Sequence, residues 1–242
     1  MWQYYHKVWL TLSLGWMCLY MVRVGMSPLL VPIMKEFHLS YADAGLLSSA
    51  VFWAYTFMQI PSGYMGDRWG RRRFLLLGTL CWSILCLLTG FVTGFVFLIV
   101  VRLLTGMAEG TYFGNDRPIV SAYTPTAEMA RGQGISVIGM GLGMGFGILF
   151  AGQIAEWWGW RTVFILYSIP SFLACFFVWK IIRDPAPSSE GPDEKEARFS
   201  IAFRSKSLWM LYLAGFSDMY IFWVLGAWSP VIFLELGVGG IG

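Results

Sequence analysis

Long apolar runs restrict this chain to one kind of fold. Only 13% of its 242 residues are charged, against roughly 25% in a soluble domain. A helix needs about 20 apolar residues to cross a bilayer, and the runs lack the strict alternation of a membrane β-strand. We therefore predict an all-α membrane protein with seven spans: Val8–Ile33, Ala42–Tyr64, Phe74–Thr93, Phe95–Tyr123, Arg131–Glu156, Trp160–Ile182 and Leu208–Phe233.

Sequence motifs for catalysis, metal binding and nucleotide binding are missing. The sequence has no phosphate-binding loop and only two histidines, and its four cysteines lie in apolar runs without ligand-like spacing. The first run is longer than that of a signal peptide, so we expect it to remain in the mature chain. These features argue against an enzyme or an ATP-driven pump, and we expect no cofactor, metal or nucleic-acid partner.

Positive charges are distributed unevenly between the two sides of the predicted spans. If the N-terminus is cytoplasmic, twelve of the 17 lysines and arginines fall on that side, and only Lys35 and Arg161 fall on the other. The positive-inside rule therefore predicts a cytoplasmic N-terminus. The twelve are Lys7, Arg68, Arg71, Arg72, Arg73, Arg131, Lys180, Arg183, Lys195, Arg198, Arg204 and Lys206.

The segment GYMGDRWGRRR, residues 63–73, joins the second and third spans. Topology accounts for its arginines, but Asp67 is a negative charge that the positive-inside rule does not require. The spacing of Gly63, Gly66 and Gly70 predicts a tight reversal between two helices. The segment closely resembles the loop signature of the major facilitator superfamily, glycine-x-leucine-alanine-aspartate-arginine-x-glycine-arginine-arginine or lysine, with methionine and glycine replacing the leucine and alanine.

Three further segments resemble the same family, in the same order along the chain. Arg102–Gly106 is similar to the arginine-x-x-x-glycine motif of the fourth helix. Glu128–Gly132 is similar to the second cytoplasmic loop, and Trp160–Phe164 to the tryptophan-arginine-x-x-phenylalanine that opens the sixth helix. The resemblance implies that the segment at residues 63–73 gates the cytoplasmic side, with Asp67 near the N-terminal end of a helix in the other half.

The resemblance also implies a domain organisation. A complete member has two six-helix halves with substrate held between them, whereas this sequence stops just after its seventh span. We expect a six-helix N-terminal bundle at residues 1–182, a proline-containing cytoplasmic linker at 183–207, and helix seven with a truncated end at 208–242. Asp218 in the seventh span would cost about 2.5 to 3.5 kcal/mol facing lipid, so we expect a partner such as a missing C-terminal half or a second copy.

Four ionisable residues lie inside the fourth span. Arg102, Glu109 and Asp116 recur every seven residues, which places them on one helix face, and Arg117 follows directly. Intramembrane charges usually face a bundle interior or a wet cavity. Two structural alternatives remain: Arg102 and Glu109 neutralise each other, and Asp116 and Arg117 reach the cytoplasmic interface.

Arg23 lies in the first span, just before Gly25 and two prolines that loosen the helix. A guanidinium facing a cavity binds carboxylate or phosphate with two parallel hydrogen bonds. The position resembles the first-helix arginine of anion:cation symporters and organophosphate:phosphate exchangers, although Val22 stands where many of these symporters have aspartate. Glu109 is therefore the predicted proton carrier, because a desolvated carboxyl is easier to protonate.

Glycines recur every four residues in the fifth span. Gly139, Gly143 and Gly147 share one helix face, and this spacing favours close packing of two helices. The segment from Gly143 to Gly152 is similar to an antiporter signature, but Ile148 replaces its proline. That departure argues against a drug/proton exporter.

Two classes of function remain open. The first is a secondary transporter that moves a small organic anion with protons by alternating access; the alternative is a non-transporting scaffold or assembly protein, or an inactive truncated transporter. The expected location is the plasma membrane, or the inner membrane of a bacterium. Predicted substrate-binding residues are Arg23, Tyr20, Asp116 and Arg117, proton-coupling residues are Glu109 and Arg102, and gating residues are Gly63, Asp67, Arg68, Gly70 and Arg71.

Overall fold

The computed structural model describes residues 2–185, 204–217 and 220–221. The chain divides into two units, residues 1–187 and 188–242. In the second unit, residues 206–217 are helical and include the start of the predicted seventh span. Asp218, Pro187 and Pro192 lie outside the described residues.

The first unit is a bundle of long helices, and the described part of the chain contains no strand. Five of its helical segments are long and apolar enough to cross a membrane. α3 is not among them, yet its 29 residues extend about 43 Å. The helices are α1 (Tyr4–Val24), α2 (Leu30–Phe37), α3 (Tyr41–Trp69), α4 (Arg71–Thr89), α5 (Phe95–Tyr123), α6 (Met129–Trp158) and α7 (Trp160–Ile181), with 3-10 turns at Ser27–Leu29 and Thr126–Glu128.

Each of the first six predicted spans corresponds to helix in the structure, and α5 has the predicted bounds. The first span is interrupted, because Pro28 lies in the 3-10 turn between α1 and α2. A proline removes a backbone donor and disrupts a helix interior. The first span therefore consists of α1, this turn and α2.

The predicted loop at residues 63–73 is wrong in its extent. α3 continues to Trp69 and α4 begins at Arg71, so the reversal is made by Gly70 alone, at φ +98°. This backbone conformation favours glycine. Gly63 and Gly66 lie inside α3, where Gly66 faces the side chain of Asn115 in α5. Their lack of a side chain permits helix packing rather than a turn.

Two helix pairs pack closely through glycines, the α1–α6 pair and the α3–α5 pair. In α6, a Cβ added at Gly147 would lie 2.8 Å from the carbonyl oxygen of Met21 in α1, and Gly139 and Gly143 face the same helix. This confirms the predicted packing role of these glycines. In α5, a Cβ at Gly110 would lie 2.7 Å from the carbonyl oxygen of Tyr55 in α3. Gly106 and Gly114 continue that second stripe, which the sequence analysis missed.

The helix ends meet in two polar clusters at opposite ends of the bundle. At one end, Tyr4 donates to the carbonyl of Ile181 (2.9 Å) and the backbone amide of Arg72 donates to Asp184 (2.7 Å). This end also holds the Gly70 turn. At the other end, Arg161 pairs with Glu36 (2.6 Å) and donates to the carbonyl oxygen of Val92 (2.8 Å), while Trp160 donates to Glu36 (2.7 Å).

Candidate functional site

An arginine and a glutamate form an ion pair in the interior of the first unit. Arg23 lies in the last turn of α1 and Glu109 lies midway along α5. The Arg23 Nη2 and Nε atoms donate to Glu109 Oε2 at 2.6 and 2.9 Å. Arg23 is 6% exposed and Glu109 1%, so each charge depends on the other for compensation.

Aromatic rings surround the Arg23 guanidinium. Its central carbon lies 4.2 Å from the ring centre of Tyr55, 5.2 Å from that of Tyr20 and 5.5 Å from that of Phe52. Ring faces attract cations at these distances. Tyr20 was predicted as a site residue, whereas Tyr55 and Phe52 were missed. Their spacing of three residues in α3 was the only sequence signal available.

Arg102 lies two turns before Glu109 on α5 and is only 2% exposed. Within the described part of the chain, its Nε atom has no hydrogen-bond partner, and its guanidinium lies 5.8 Å from the ring centre of Phe164. Within the described residues, Glu109 pairs with Arg23 and no carboxylate lies within 4.0 Å of Arg102. The structural alternative of an Arg102–Glu109 neutralising pair is therefore not what the structure shows.

Asp116 lies a further two turns along α5, with no exposed surface. Its Oδ2 atom accepts a hydrogen bond from the Trp16 indole of α1 (2.6 Å) and lies 3.6 Å from Arg117 Nε. Arg117 donates to the side chain of Gln133 in α6 (2.9 Å). Both residues were predicted to bind substrate. In the structure, Arg117 is partly exposed, whereas Asp116 is fully buried and is hydrogen-bonded to Trp16.

The predicted gating residues connect the Gly70 turn to α5. Arg71 pairs with Asp67 one turn away and also donates to the carbonyl oxygen of Gly114 (3.1 Å). That carbonyl lacks its helical donor, since Pro118 stands four residues later and has no N–H. Arg71 therefore satisfies a backbone group that the proline leaves free, while Arg68 donates to the hydroxyl of Tyr64 (3.0 Å).

Buried charges and aromatic rings define what the site can bind. Among the described residues, no group of three or more His, Cys, Asp and Glu side chains is placed to hold a metal ion. The arrangement instead offers a guanidinium for an anion, a carboxylate that competes for it, and aromatic walls. Ionisable groups inside a membrane bundle are typical of substrate or proton pathways.

A bundle of membrane-length helices with ionisable side chains in its interior defines a multi-pass membrane protein. The chain belongs to the Major Facilitator Superfamily, whose sequence profile matches residues 12–242. The resemblance carried by the segment at residues 63–73 is thereby confirmed.

Several curated relatives have names that describe the transport of anions. The chain is 29% identical to the rice (Oryza sativa subsp. japonica) "Probable anion transporter 4, chloroplastic" over 97% of its own length and 43% of the relative. It is 27% identical to the Escherichia coli "D-galactonate transporter" over 87% of its length and 55% of the relative. The chain thus spans about half the length of the curated relatives it matches.

Solved structures show the same fold. A bacterial homolog of the human lysosomal transporter Spinster, inward-facing and unoccupied, superposes with a TM-score of 0.77 at 23% identity, over 97% of this chain and 56% of that one. Its inward-facing, occupied form gives a TM-score of 0.74 at 25% identity, over 79% and 47% of the two chains. The six-helix N-terminal bundle of the major facilitator fold, followed by the start of a seventh helix, is therefore the architecture of this chain.

Proposed function

We propose that this chain is the anion-binding part of a secondary transporter that moves a small organic anion together with protons by alternating access. The observation that carries the proposal is the buried Arg23–Glu109 ion pair within its ring of aromatic side chains. The names of the anion-transporting relatives support the same substrate class. Because the chain spans about half of these relatives, the second half of the site is proposed to come from a further six-helix bundle.

The ion pair supplies a mechanism for coupling. While Glu109 is ionised, its Oε2 atom occupies the Nε and Nη2 donors of Arg23, the same donors that a substrate carboxylate or phosphate would use. Protonation of Glu109 removes the competing charge and frees the guanidinium. Anion binding and proton binding therefore favour each other, and the Tyr20 and Tyr55 rings hold Arg23 in place when its partner changes.

Arg102, Arg117 and the Gly70 turn take supporting roles in this proposal. Arg102 is buried, has no ion-pair partner among the described residues and lies on the same helix face as Glu109, so we assign it a supporting role in proton coupling. Arg117, which is partly exposed, is a substrate contact. The gating residues Gly63, Asp67, Arg68, Gly70 and Arg71 lie at the arginine-rich end, which we assign to the cytoplasm of the plasma membrane or bacterial inner membrane by the positive-inside rule.

The test uses uptake of candidate carboxylates and phosphates by proteoliposomes containing the protein. The Glu109→Gln variant should lose uptake driven by a pH gradient while retaining counterflow exchange. The Arg23→Lys variant should bind the anion about tenfold more weakly, because lysine lacks the paired donors. Glu156→Gln, which neutralises an exposed carboxylate on α6, is the matched control and should behave as wild type. Uptake by Glu109→Gln that still follows the pH gradient would refute the coupling mechanism.

A further inference from the structure

A second buried carboxylate, Asp116, lies apart from the Arg23–Glu109 pair. It follows Glu109 by seven residues on α5, which places it about 10 Å further along the helix axis. Its side chain is fully buried, at the contact between α5 and Trp16 of α1. The coupling mechanism proposed above makes no use of it.

The hydrogen bonds to this carboxylate are too few for an ionised group. The Trp16 indole donates to Oδ2 at 2.6 Å, whereas Oδ1 is buried and has no hydrogen-bond partner among the described residues. The backbone amides of Asp116 and Arg117 lie near the carboxylate, but both belong to α5, where amides donate along the helix. An ionised carboxylate has about four acceptor sites, and burying one without donors is costly.

The positive charge nearest to Asp116 is that of Arg117, which also interacts with α6. Arg117 Nε lies 3.6 Å from Oδ2, and the Arg117 side chain is 28% exposed. Its Nη1 atom donates to Gln133 Oε1 at 2.9 Å and lies 3.4 Å from the Ser136 hydroxyl oxygen of α6. The guanidinium is therefore shared between Asp116 and α6 and is partly exposed, so Asp116 receives only part of its charge.

Other charged or titratable groups around Asp116 do not supply the missing compensation. Tyr112, one turn earlier on α5, donates its hydroxyl to the carbonyl oxygen of Leu12 (2.7 Å). Arg71 of α4 donates to the carbonyl oxygen of Gly114 and forms an ion pair with Asp67. The described groups that α1 and α6 present to this site, the Trp16 indole and the Gln133 and Ser136 side chains, are neutral.

We propose that Asp116 is a proton-binding site separate from Glu109, occupied by a proton in this conformation. The carboxylate takes one proton from water on Oδ1 and becomes a neutral acid, while Oδ2 keeps its hydrogen bond from Trp16. Because Trp16 belongs to α1 and Asp116 to α5, loss of that proton is linked to a change in the contact between these two helices. The inference does not rest on the proposed transport function.

The experiment is infrared spectroscopy of the purified protein in lipid, with aspartate 13C-labelled at its side-chain carboxyl. At neutral pH, we expect a protonated-carboxyl C=O band that moves on labelling and is absent from Asp116→Asn. The band should persist in Glu109→Gln and in Asp43→Asn, which changes a partly exposed aspartate at the start of α3. Persistence in Glu109→Gln separates this site from the coupling mechanism, whatever the uptake assay gives.

A further variant keeps the proposal testable if Asp116→Asn does not fold. Trp16→Phe removes the hydrogen bond to Oδ2, so it should shift the labelled band to higher frequency without abolishing it. If wild-type protein shows no labelled protonated-carboxyl band at neutral pH, or if Asp116→Asn leaves that band unchanged, Asp116 is not the proton site. Asp116 would then be an ionised partner of Arg117.

Discussion

Replacing single glycines of α6 by alanine tests whether the α1–α6 pair depends on direct backbone contact. A Cβ at Gly147 would lie 2.8 Å from the carbonyl oxygen of Met21 and 2.9 Å from its Cα. Both are backbone atoms, so no side-chain rotation relieves the overlap. An ordinary contact distance begins at 3.4 Å, so the two helices would have to separate by about 0.6 Å. Protein interiors are close-packed, and such a shift disturbs the neighbouring contacts.

The expected magnitude follows from comparison with a glycine on the other face. Overpacking by one methyl group costs about 1–3 kcal/mol, while alanine is favoured over glycine in a helix by about 1 kcal/mol. Gly145 has nothing within 4 Å of an added Cβ among the described atoms. Gly145→Ala should therefore gain the higher helix propensity of alanine without any steric overlap. The difference in unfolding free energy between Gly147→Ala and Gly145→Ala should therefore be about 1–3 kcal/mol.

The assay is SDS-induced unfolding in mixed micelles, followed by far-ultraviolet circular dichroism. Gly139→Ala should be more destabilising than Gly147→Ala, since its added carbon would overlap the Ser13 carbonyl oxygen more closely. Equal unfolding free energies for Gly147→Ala and Gly145→Ala would contradict the packing argument. Such a result would mean that α1 and α6 are not in direct backbone contact at Gly147.

Two further predictions concern the ends of the bundle. Arg71→Leu should lower the unfolding free energy by about 1–3 kcal/mol, because the Gly114 carbonyl loses its hydrogen-bond donor. Adding Pro118→Ala to the same chain restores a backbone donor to that carbonyl and should recover most of the lost free energy. If the double variant shows no recovery, the explanation is wrong. Glu36→Gln should cost about 1 kcal/mol and remove the salt dependence of thermal unfolding that its pairing with Arg161 produces, whereas Glu156→Gln should leave both unchanged.

The helices could be predicted from the sequence because their limits depend on local chemistry. α5 has the predicted bounds since Gly94 precedes it and Pro125 follows it, and residues before a proline disfavour helix. The seven-residue recurrence also placed Arg102, Glu109 and Asp116 on one buried face, as the structure confirms.

The contacts between helices could not be predicted from the sequence, for a physical reason. Glu109 pairs with Arg23, 86 residues away, rather than with Arg102 on its own helix, and periodicity carries no information about which helices are neighbours. The glycines of α3 show the same limit. Glycine occurs both in tight turns and at close helix contacts. Only the fold shows that Gly66 lies at a helix contact and that Gly70 forms the turn.

The two glycine-packed helix pairs share a limited direct contact. Within each pair, backbones touch and leave little freedom, whereas α1 and α5, one from each pair, contact each other less extensively. The Arg23–Glu109 and Trp16–Asp116 contacts both cross that weaker boundary. If Glu109 and Asp116 take up protons as proposed, each proton therefore changes the attraction across the less extensive α1–α5 contact rather than within a glycine-packed pair.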